Sequence, residues 1–544
     1  MISLKPMKNA ISLLMLGFAL VSCARVGSPV GGAKDSLAPK LVKSNIDTTR
    51  INVPTDLKQL RLYFDEYITL KEVHKNLIIS PPIKYKKIIP ASLGNKFILI
   101  EWDETLQPNT TYNFNFGNSI ADLNEGNVLP YFNFVFSTGS ELDDTYISGT
   151  VKSGYTFPKE KNDAKKNFII GLYKASDSVD YTKKPYYITK ADEDGYFELS
   201  HLAKGKYRII AFDDTDQNSI FTAGKDEVFF KTEDLDLREN ISNMQIRTLP
   251  SKKPLKFSEY KEVAGGFLFK FEGQPESISL TSETELLKEY KSVHKKFSDS
   301  AMLWFDDKQL NLPETNINIG LKIKYQADTL KGSASPYYKA SVKTEFGLSN
   351  NTGASLPPTG KFYIDANRPI TELNTEKWIL KQDSINTQPF TAKIVENHPH
   401  KIEISSNFIS GKKYELNIPK ESVSTYYLKL PKTYQFNFEI DKPENYGSLE
   451  MRLKTKPDAP FWMQLLNEQD EVKYTQFTEA GTIKFNVLKP GKYYVRILVD
   501  NNRNGIWDEA DFKNQTPAEE VFIYDKMIEI RPLWENIEDQ WSIK

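Results

Sequence analysis

Apolar and polar residues alternate with a period of two along successive stretches of this chain, the pattern of strands that bury one face. Leu60-Arg61-Leu62-Tyr63-Phe64 alternates and is followed by Asp65-Glu66; Phe97 to Trp102 is a longer apolar strand, and Tyr131 to Thr138 alternates again. Between them Leu106 to Thr111 carries the Pro and Asn of a turn. The same pattern predicts strands at Ile147 to Val151, Phe168 to Tyr173, Tyr196 to Leu199 and Tyr207 to Phe212. Further strands are predicted at Gly266 to Phe271, Ala301 to Phe305, Lys413 to Leu416, Tyr434 to Phe438 and Val495 to Val499. One stretch breaks the pattern: Ala10 to Val21 is a largely apolar run of twelve residues. A membrane-spanning helix needs about 20.

Short strands at regular spacing with turn signals between them predict β-sandwiches. The motifs Phe64-Asp65-Glu66, Leu106 to Tyr112 (L-x-P-N-T-x-Y) and Phe134 to Gly139 (F-x-F-S-T-G) resemble the bacterial Ig-like domain of S-layer proteins. That resemblance covers about 100 residues and implies a fold, not an activity. A second motif, Asp192 to Tyr207 (D-x-x-G-x-F-x-L-x-x-L-x-x-G-x-Y), resembles the transthyretin-like sandwich of carboxypeptidase regulatory and collagen-binding B-type domains. In it Phe197, Leu199 and Leu202 face the core, and the glycines take turn geometry.

Both types recur. Gly481 to Trp507 aligns without a gap on Gly195 to Phe221, and Tyr414 and Tyr434 to Phe438 echo Tyr112 and Phe132 to Phe136. The predicted organisation is a signal peptide over 1–22 and a tether over 23–40. Five β-modules follow: Ig-like over 41–140, transthyretin-like over 144–250, a further sandwich over 254–349, Ig-like over 355–442 and transthyretin-like over 445–544. The fold class is all-β, and repetition of this kind is more often an interaction scaffold than an enzyme.

The apolar run follows Lys5 and Lys8 and ends in Leu20-Val21-Ser22-Cys23, with Cys23 the only cysteine of 544 residues. This is the layout of a cleaved secretion signal, and Leu20, Val21, Ser22 and Cys23 resemble the lipobox cut by lipoprotein signal peptidase. The resemblance implies a lipid on Cys23 and a body tethered to a membrane outside the cytoplasm. A bacterial lipoprotein usually carries three acyl chains, enough for stable anchoring where one is marginal. Gly27-Ser28-Pro29 and Gly31-Gly32 make the following residues a flexible spacer. No Asp follows Cys23, which favours the outer membrane, and no acidic cluster adjoins it, which favours the periplasmic face over the cell surface. Cys23 to Asp35 resembles a family of Bacteroidota lipoproteins with Ig-like domains.

Charge narrows the partners. The 71 basic and 72 acidic residues are interspersed and the net charge is −1, so nucleic acid has no electrostatic footprint to bind. Aromatics reach 12%, with 28 Tyr and 32 Phe, a mix that favours strands. No disulfide is available, so each module must be held by its own apolar core.

Candidate chemistry is sparse. Asp500, Asn502, Asn504, Asp508 and Asp511 place oxygens at positions 1, 3, 5, 9 and 12 of a loop with Gly505 at position 6, the spacing of an EF-hand-type calcium loop. Asp511 replaces the bidentate Glu of that motif, and no flanking helix is predicted. The alternative is an Asx-rich turn with Gly505 at positive φ. The sister loop, Asp214 to Ser219, lacks the glycine and reads as a turn. His398-Pro399-His400 reads as an exposed loop, Lys84, Lys86 and Lys87 as protection of an edge strand, and Asp65-Glu66 and Glu519-Glu520 as solvated turn residues. Trp534 and Trp541 either close the last sandwich or mark a docking patch; the need to tie down a late strand favours packing.

No nucleophile elbow, His-Glu-x-x-His or phosphate loop is present. The expectation is a non-enzymatic outer-membrane lipoprotein that joins a protein partner, an accessory subunit of an assembly or transport complex. It has no cofactor beyond the calcium reading of the Asp500 loop. A glycan-binding lipoprotein is the alternative, and a glycan hydrolase follows it.

Overall fold

Strand pairing accounts for nearly every element of the computed structural model, which describes residues 35–543 apart from 158–165, 177–178, 286, 307–313, 326–327, 340–344, 351–352, 354, 384 and 397. Cys23 and its lipobox lie outside the described residues. Among the described residues, helix is confined to single turns at Val73–Asn76 and Pro443–Asn445. None is long and apolar enough to cross a membrane. The fold is all-β, a tandem series of β-sandwich modules. The chain forms two compact units, one ending at Leu142 and the other beginning at Asp143.

In the first unit, Leu41–Ser44, Gln59–Leu70, Asn95–Trp102 and Tyr85–Ile89 pair in that spatial order, and Ile78–Ser80, Thr111–Gly117 and Phe132–Ser137 form the facing sheet. Leu60, Leu62 and Phe64 from one sheet and Phe114, Phe116, Phe134 and Phe136 from the other fill the space between. Asp65-Glu66 does not end its strand. The register shifts between Tyr63 and Ile68, and the bulge carries the strand on to Leu70. Burial and the neighbouring Asp122 and Asp65 push the Glu66 carboxyl up. The Lys86 and Lys87 strand lies at a sheet edge, and both lysines pair with acids of the adjoining segment, Asp103 and Glu101.

The second unit repeats that sandwich. Leu348–Ser349, Lys361–Ala366, His398–Ser405 and Thr391–Val395 pair in the order of the first unit's larger sheet, facing a sheet built on Lys413–Ile418 and Tyr434–Ile440. Tyr112 and Tyr414 occupy one position in the two copies. Each hydroxyl accepts the backbone N–H five residues upstream, of Gln107 and Ile409, at 2.8 and 2.7 Å. Each ring stacks on a phenylalanine of the closing strand, Phe136 at 5.5 Å and Phe438 at 5.6 Å. His398-Pro399-His400 is therefore not a loop but the start of a strand. His400 is half-buried, its Nδ1 bonded to the Ala366 carbonyl at 3.1 Å.

Two further modules are each built from eight strands and share most of their pairing; the first joins its two sheets through Glu227–Phe230 and Ile241–Pro250, whereas the second keeps sheets of three and five strands. Thr145–Ser153 pairs antiparallel with Tyr196–Leu202 and parallel with Ile241–Pro250; Gly447–Thr455 does the same with Thr482–Leu488 and Glu535–Ser542. In the facing sheets, Phe168–Lys174 lies between Tyr187–Lys190 and Gly205–Asp213, as Phe461–Leu466 lies between Val472–Thr478 and Gly491–Val499. Phe197, Leu199 and Leu202 are buried in the first core. Tyr207 and Tyr493 again match, each donating its hydroxyl to the carbonyl four residues upstream, Ala203 and Lys489, at 2.7 and 2.9 Å. Between the repeats, Gly266–Glu272 and Ser300–Trp304 belong to one sheet and Ile319–Tyr325 to another, enclosing Phe267, Phe269, Leu303 and Phe305. Trp541 is buried against Tyr524, whereas Trp534 stays half-exposed under the Arg531 guanidinium.

Tyr414→Phe keeps the stacked ring but strands the Ile409 N–H. Ile409 is half-exposed, so water can replace the lost acceptor and the cost is the net worth of one hydrogen bond, about 0.5–1.5 kcal/mol. The expected outcome is a loss of that order in urea denaturation, while Tyr426→Phe, on an exposed side chain, leaves the midpoint unchanged.

Candidate functional site

Strand Gly491–Val499 buries Val495, Ile497 and Val499, and its next residue, Asp500, is buried too. A buried carboxylate must be hydrogen-bonded, and Asp500 accepts the backbone N–H groups of Asn504 and Gly505 at 2.9 and 3.0 Å. The turn so closed puts Gly505 at φ 86°, a conformation suited to glycine, and a Cβ there would meet nothing within 4 Å. Backbone conformation alone therefore selects the residue.

Asp508 closes the other side. Its Oδ2 accepts side-chain N–H groups from both Asn502 and Asn504, each at 2.7 Å. Glu519 then clamps the whole turn: Oε1 accepts the Asn502 N–H at 3.1 Å and Oε2 the Asp508 N–H at 3.0 Å. Burial pushes the Glu519 carboxyl up, with Asp508 and Asp500 adding to the shift and the two N–H donors opposing it. Glu519 is thus a buried structural acid, not a solvated turn residue. Asp511 stands apart, its carboxylate held by the backbone and side chain of Asn514 at 3.1 and 2.9 Å.

The structure therefore gathers Asp500, Asn502, Asn504 and Asp508 into one turn and leaves Asp511 in another. The amides of Asn502 and Asn504 turn N–H groups, not oxygens, toward Asp508, which is the arrangement of a self-bonded Asx turn. Among the described residues, no group of three or more His, Cys, Asp or Glu is placed to hold a metal ion.

The sister loop has the same construction. Asp214 accepts the N–H groups of Asn218 and Ser219 at 3.1 and 2.9 Å. Asp226 plays the part of Glu519, accepting from the N–H groups of Thr215 and Thr222 at 3.2 and 2.7 Å. Burial pushes Asp226 up as well. Lys225 forms an ion pair with Asp216 in this copy.

What distinguishes the second loop is what it touches. Trp507 stacks on Tyr155 of the first repeat, with centroids 5.2 Å apart. Phe512 meets Tyr181, Phe221 and Phe230 edge-on at 4.6, 5.0 and 5.2 Å, and Tyr494 stacks on Phe157 at 4.6 Å. Beside them Arg496 lies 3.9 Å over the Tyr155 ring and donates Nη1 to the Tyr155 carbonyl at 3.0 Å. Its Nε and Nη2 both reach Gln464 Oε1, at 3.1 and 2.7 Å. Only 5% of Arg496 is exposed, and burial pulls its guanidinium below the ordinary value. The ring face and three hydrogen bonds substitute for water around the cation. The gapless alignment of the repeats sets Arg496 opposite Ile210. A charge inside the apolar run Val495-Arg496-Ile497 was the available sign of this contact; nothing local in the sequence marks Glu519 or Phe512.

Residues 35–138 match the family described as bacterial Ig-like domain. No curated relative matches the chain. Among solved structures, the chain is similar to the S-layer protein rSbsC at 11% identity, over 90% of this chain and 67% of that one, with a TM-score of 0.15. The Bacillus anthracis TIE protein matches at 13% identity over 98% and 78%, with a TM-score of 0.13. SGBP-B of a Bacteroides ovatus mixed-linkage glucan utilization locus matches at 12% identity over 72% and 96%, with a TM-score of 0.18. Overlaps this slight carry no argument about what the chain binds.

Glu519→Gln retains one carbonyl oxygen for two backbone donors. Hydrogen bonds to a charged group are worth about 1.5–3 kcal/mol, so a loss of that size is expected in urea denaturation. Because burial raises the folded-state value of Glu519, the wild type itself loses stability as pH rises through that value, so the deficit of Glu519→Gln is expected to be larger below it and to narrow above it.

Proposed function

We propose that this chain, whose residues 35–138 match a bacterial Ig-like domain, is a non-enzymatic cell-envelope lipoprotein. It acts as a multidomain protein-interaction scaffold, held at the periplasmic face of the outer membrane by lipid on Cys23. The observation that carries the scaffold reading is the use to which buried polar groups are put. Asp500, Glu519, Asp214 and Asp226 each close a turn, and Arg496 joins two modules. Their hydrogen bonds serve the shape of the chain, which supports a protein that presents surfaces. The partner is an envelope protein, and the chain is an accessory subunit of an assembly or transport complex. The tether reading rests on Leu20, Val21, Ser22 and Cys23 alone.

Affinity purification of the native protein in mild detergent, followed by mass spectrometry, tests the scaffold reading. One co-purifying envelope protein, lost when Cys23→Ser releases the chain from the membrane fraction, is the expected result. Glycan-array binding with no protein partner would move the function to glycan capture. A Cys23→Ser chain that still pellets with the outer membrane, or labelled palmitate that fails to enter the wild type, would remove the lipid anchor.

Structural calcium in the Asp500 loop is a second proposal, and it rests on the donor set. Half-turns of the Asn502 and Asn504 amides would present oxygens in place of N–H groups, beside the carboxylates of Asp500 and Asp508. A melting temperature that rises on adding calcium to EGTA-treated protein, and does not rise in Asp500→Asn, is expected. An unchanged melting temperature would leave the loop as an Asx turn.

A further inference from the structure

The short segment Pro250 to Lys253 joins the first eight-stranded repeat to the middle sandwich, and its composition is that of a free linker. The structure holds it from three sides. From its own repeat, the Ser251 hydroxyl donates to the Asp226 carbonyl at 2.6 Å and accepts the Gly224 N–H at 2.8 Å, and Ser251 is buried. From the middle sandwich, the Tyr325 hydroxyl donates to the Lys253 carbonyl at 3.0 Å.

The third side is nearly 260 residues downstream. Ala510 donates its N–H to the Pro250 carbonyl at 3.0 Å and accepts the Lys252 N–H at 2.8 Å, so one residue of the last repeat forms a short parallel bridge with the linker. Two residues on, Phe512 is seated among Tyr181, Phe221 and Phe230. Space is tight as well: a Cβ on Gly224 would lie 2.6 Å from the Lys253 Cα. The sister loop of the first repeat has an Asp turn of the same construction, yet the bridge to the linker is made only from the second loop.

We propose that the Asp508–Thr516 segment is a latch. By capturing the Pro250–Lys253 hinge it locks the first repeat, the middle sandwich and the last repeat into one body. The modules between residues 254 and 442 thereby become a closed excursion whose base is fastened, and release of the latch frees that base to open. Backbone pairing at Ala510 sets the latch, and the Phe512 ring keeps it seated.

The hinge contains its own reporter. Trypsin cleaves after lysine but not before proline, so Lys252-Lys253-Pro254 offers one scissile bond, after Lys252. In the full-length protein that bond is expected to resist trypsin, and the Lys252 amide to exchange with deuterium at least tenfold more slowly than the exposed Lys513 amide. Phe512→Ala is expected to raise cleavage after Lys252 at least tenfold while near-ultraviolet circular dichroism stays native, and Phe512→Leu to restore most of the resistance. Ala510→Pro, which removes the bridging N–H, should act in the same direction with the aromatic seat intact. Rapid exchange at Lys252 in the wild type would overturn the latch. So would wild-type cleavage rates in both Phe512→Ala and Ala510→Pro. Should Phe512→Ala lose its fold, the wild-type exchange rate decides alone.

Discussion

A backbone N–H that leaves a sheet and stays out of water must find an acceptor, and in this protein buried carboxylates repeatedly supply one. Asp122 accepts from Glu125, Gly126 and Asn127 in the first unit. Asp214 with Asp226, and Asp500 with Glu519, do the same at equivalent points of the two repeats. Each acid is short of water and rich in donors, so the turn and the charge depend on one another: without the turn the carboxylate is unsolvated, and without the carboxylate the turn is unbonded.

The strands were legible from alternation, because a half-buried strand writes its two faces into every second residue. The tandem sandwich class follows from that pattern and from the turn motifs around Pro108 and Gly195. What sits between modules was not legible. Glu519 lies beyond two turns and becomes buried only when the chain folds back on Asn502 and Asp508. Phe512 looks like any loop aromatic until Tyr181, Phe221 and Phe230 converge on it. His398 to His400 begins a strand where an exposed loop is expected; both His398 and Pro399 are exposed at the strand's outer end, where a missing ladder N–H is tolerated. The two late tryptophans divide between the readings: Trp541 packs, and Trp534 remains at the surface.

Repetition with local divergence is how the chain acquires a contact between copies. The two eight-stranded modules share most of their pairing, their tyrosine anchors and their Asp-closed turns. Where one has Ile210 the other has Arg496, and the cation is held by a tyrosine of the first copy. The change turns an apolar patch into one that recognises its own duplicate.

In both of these modules the last strand runs parallel to the first, with Ile241 beside Ile147 and Thr248 beside Ser153. The chain therefore comes in at one pole of the module and leaves at the other. Tension applied to the two ends pulls this pair lengthwise past each other, so the continuous rungs from Met244 to Thr248 bear load together instead of parting one at a time. Such a pair gives way late and abruptly, as a clasp does and a zip does not.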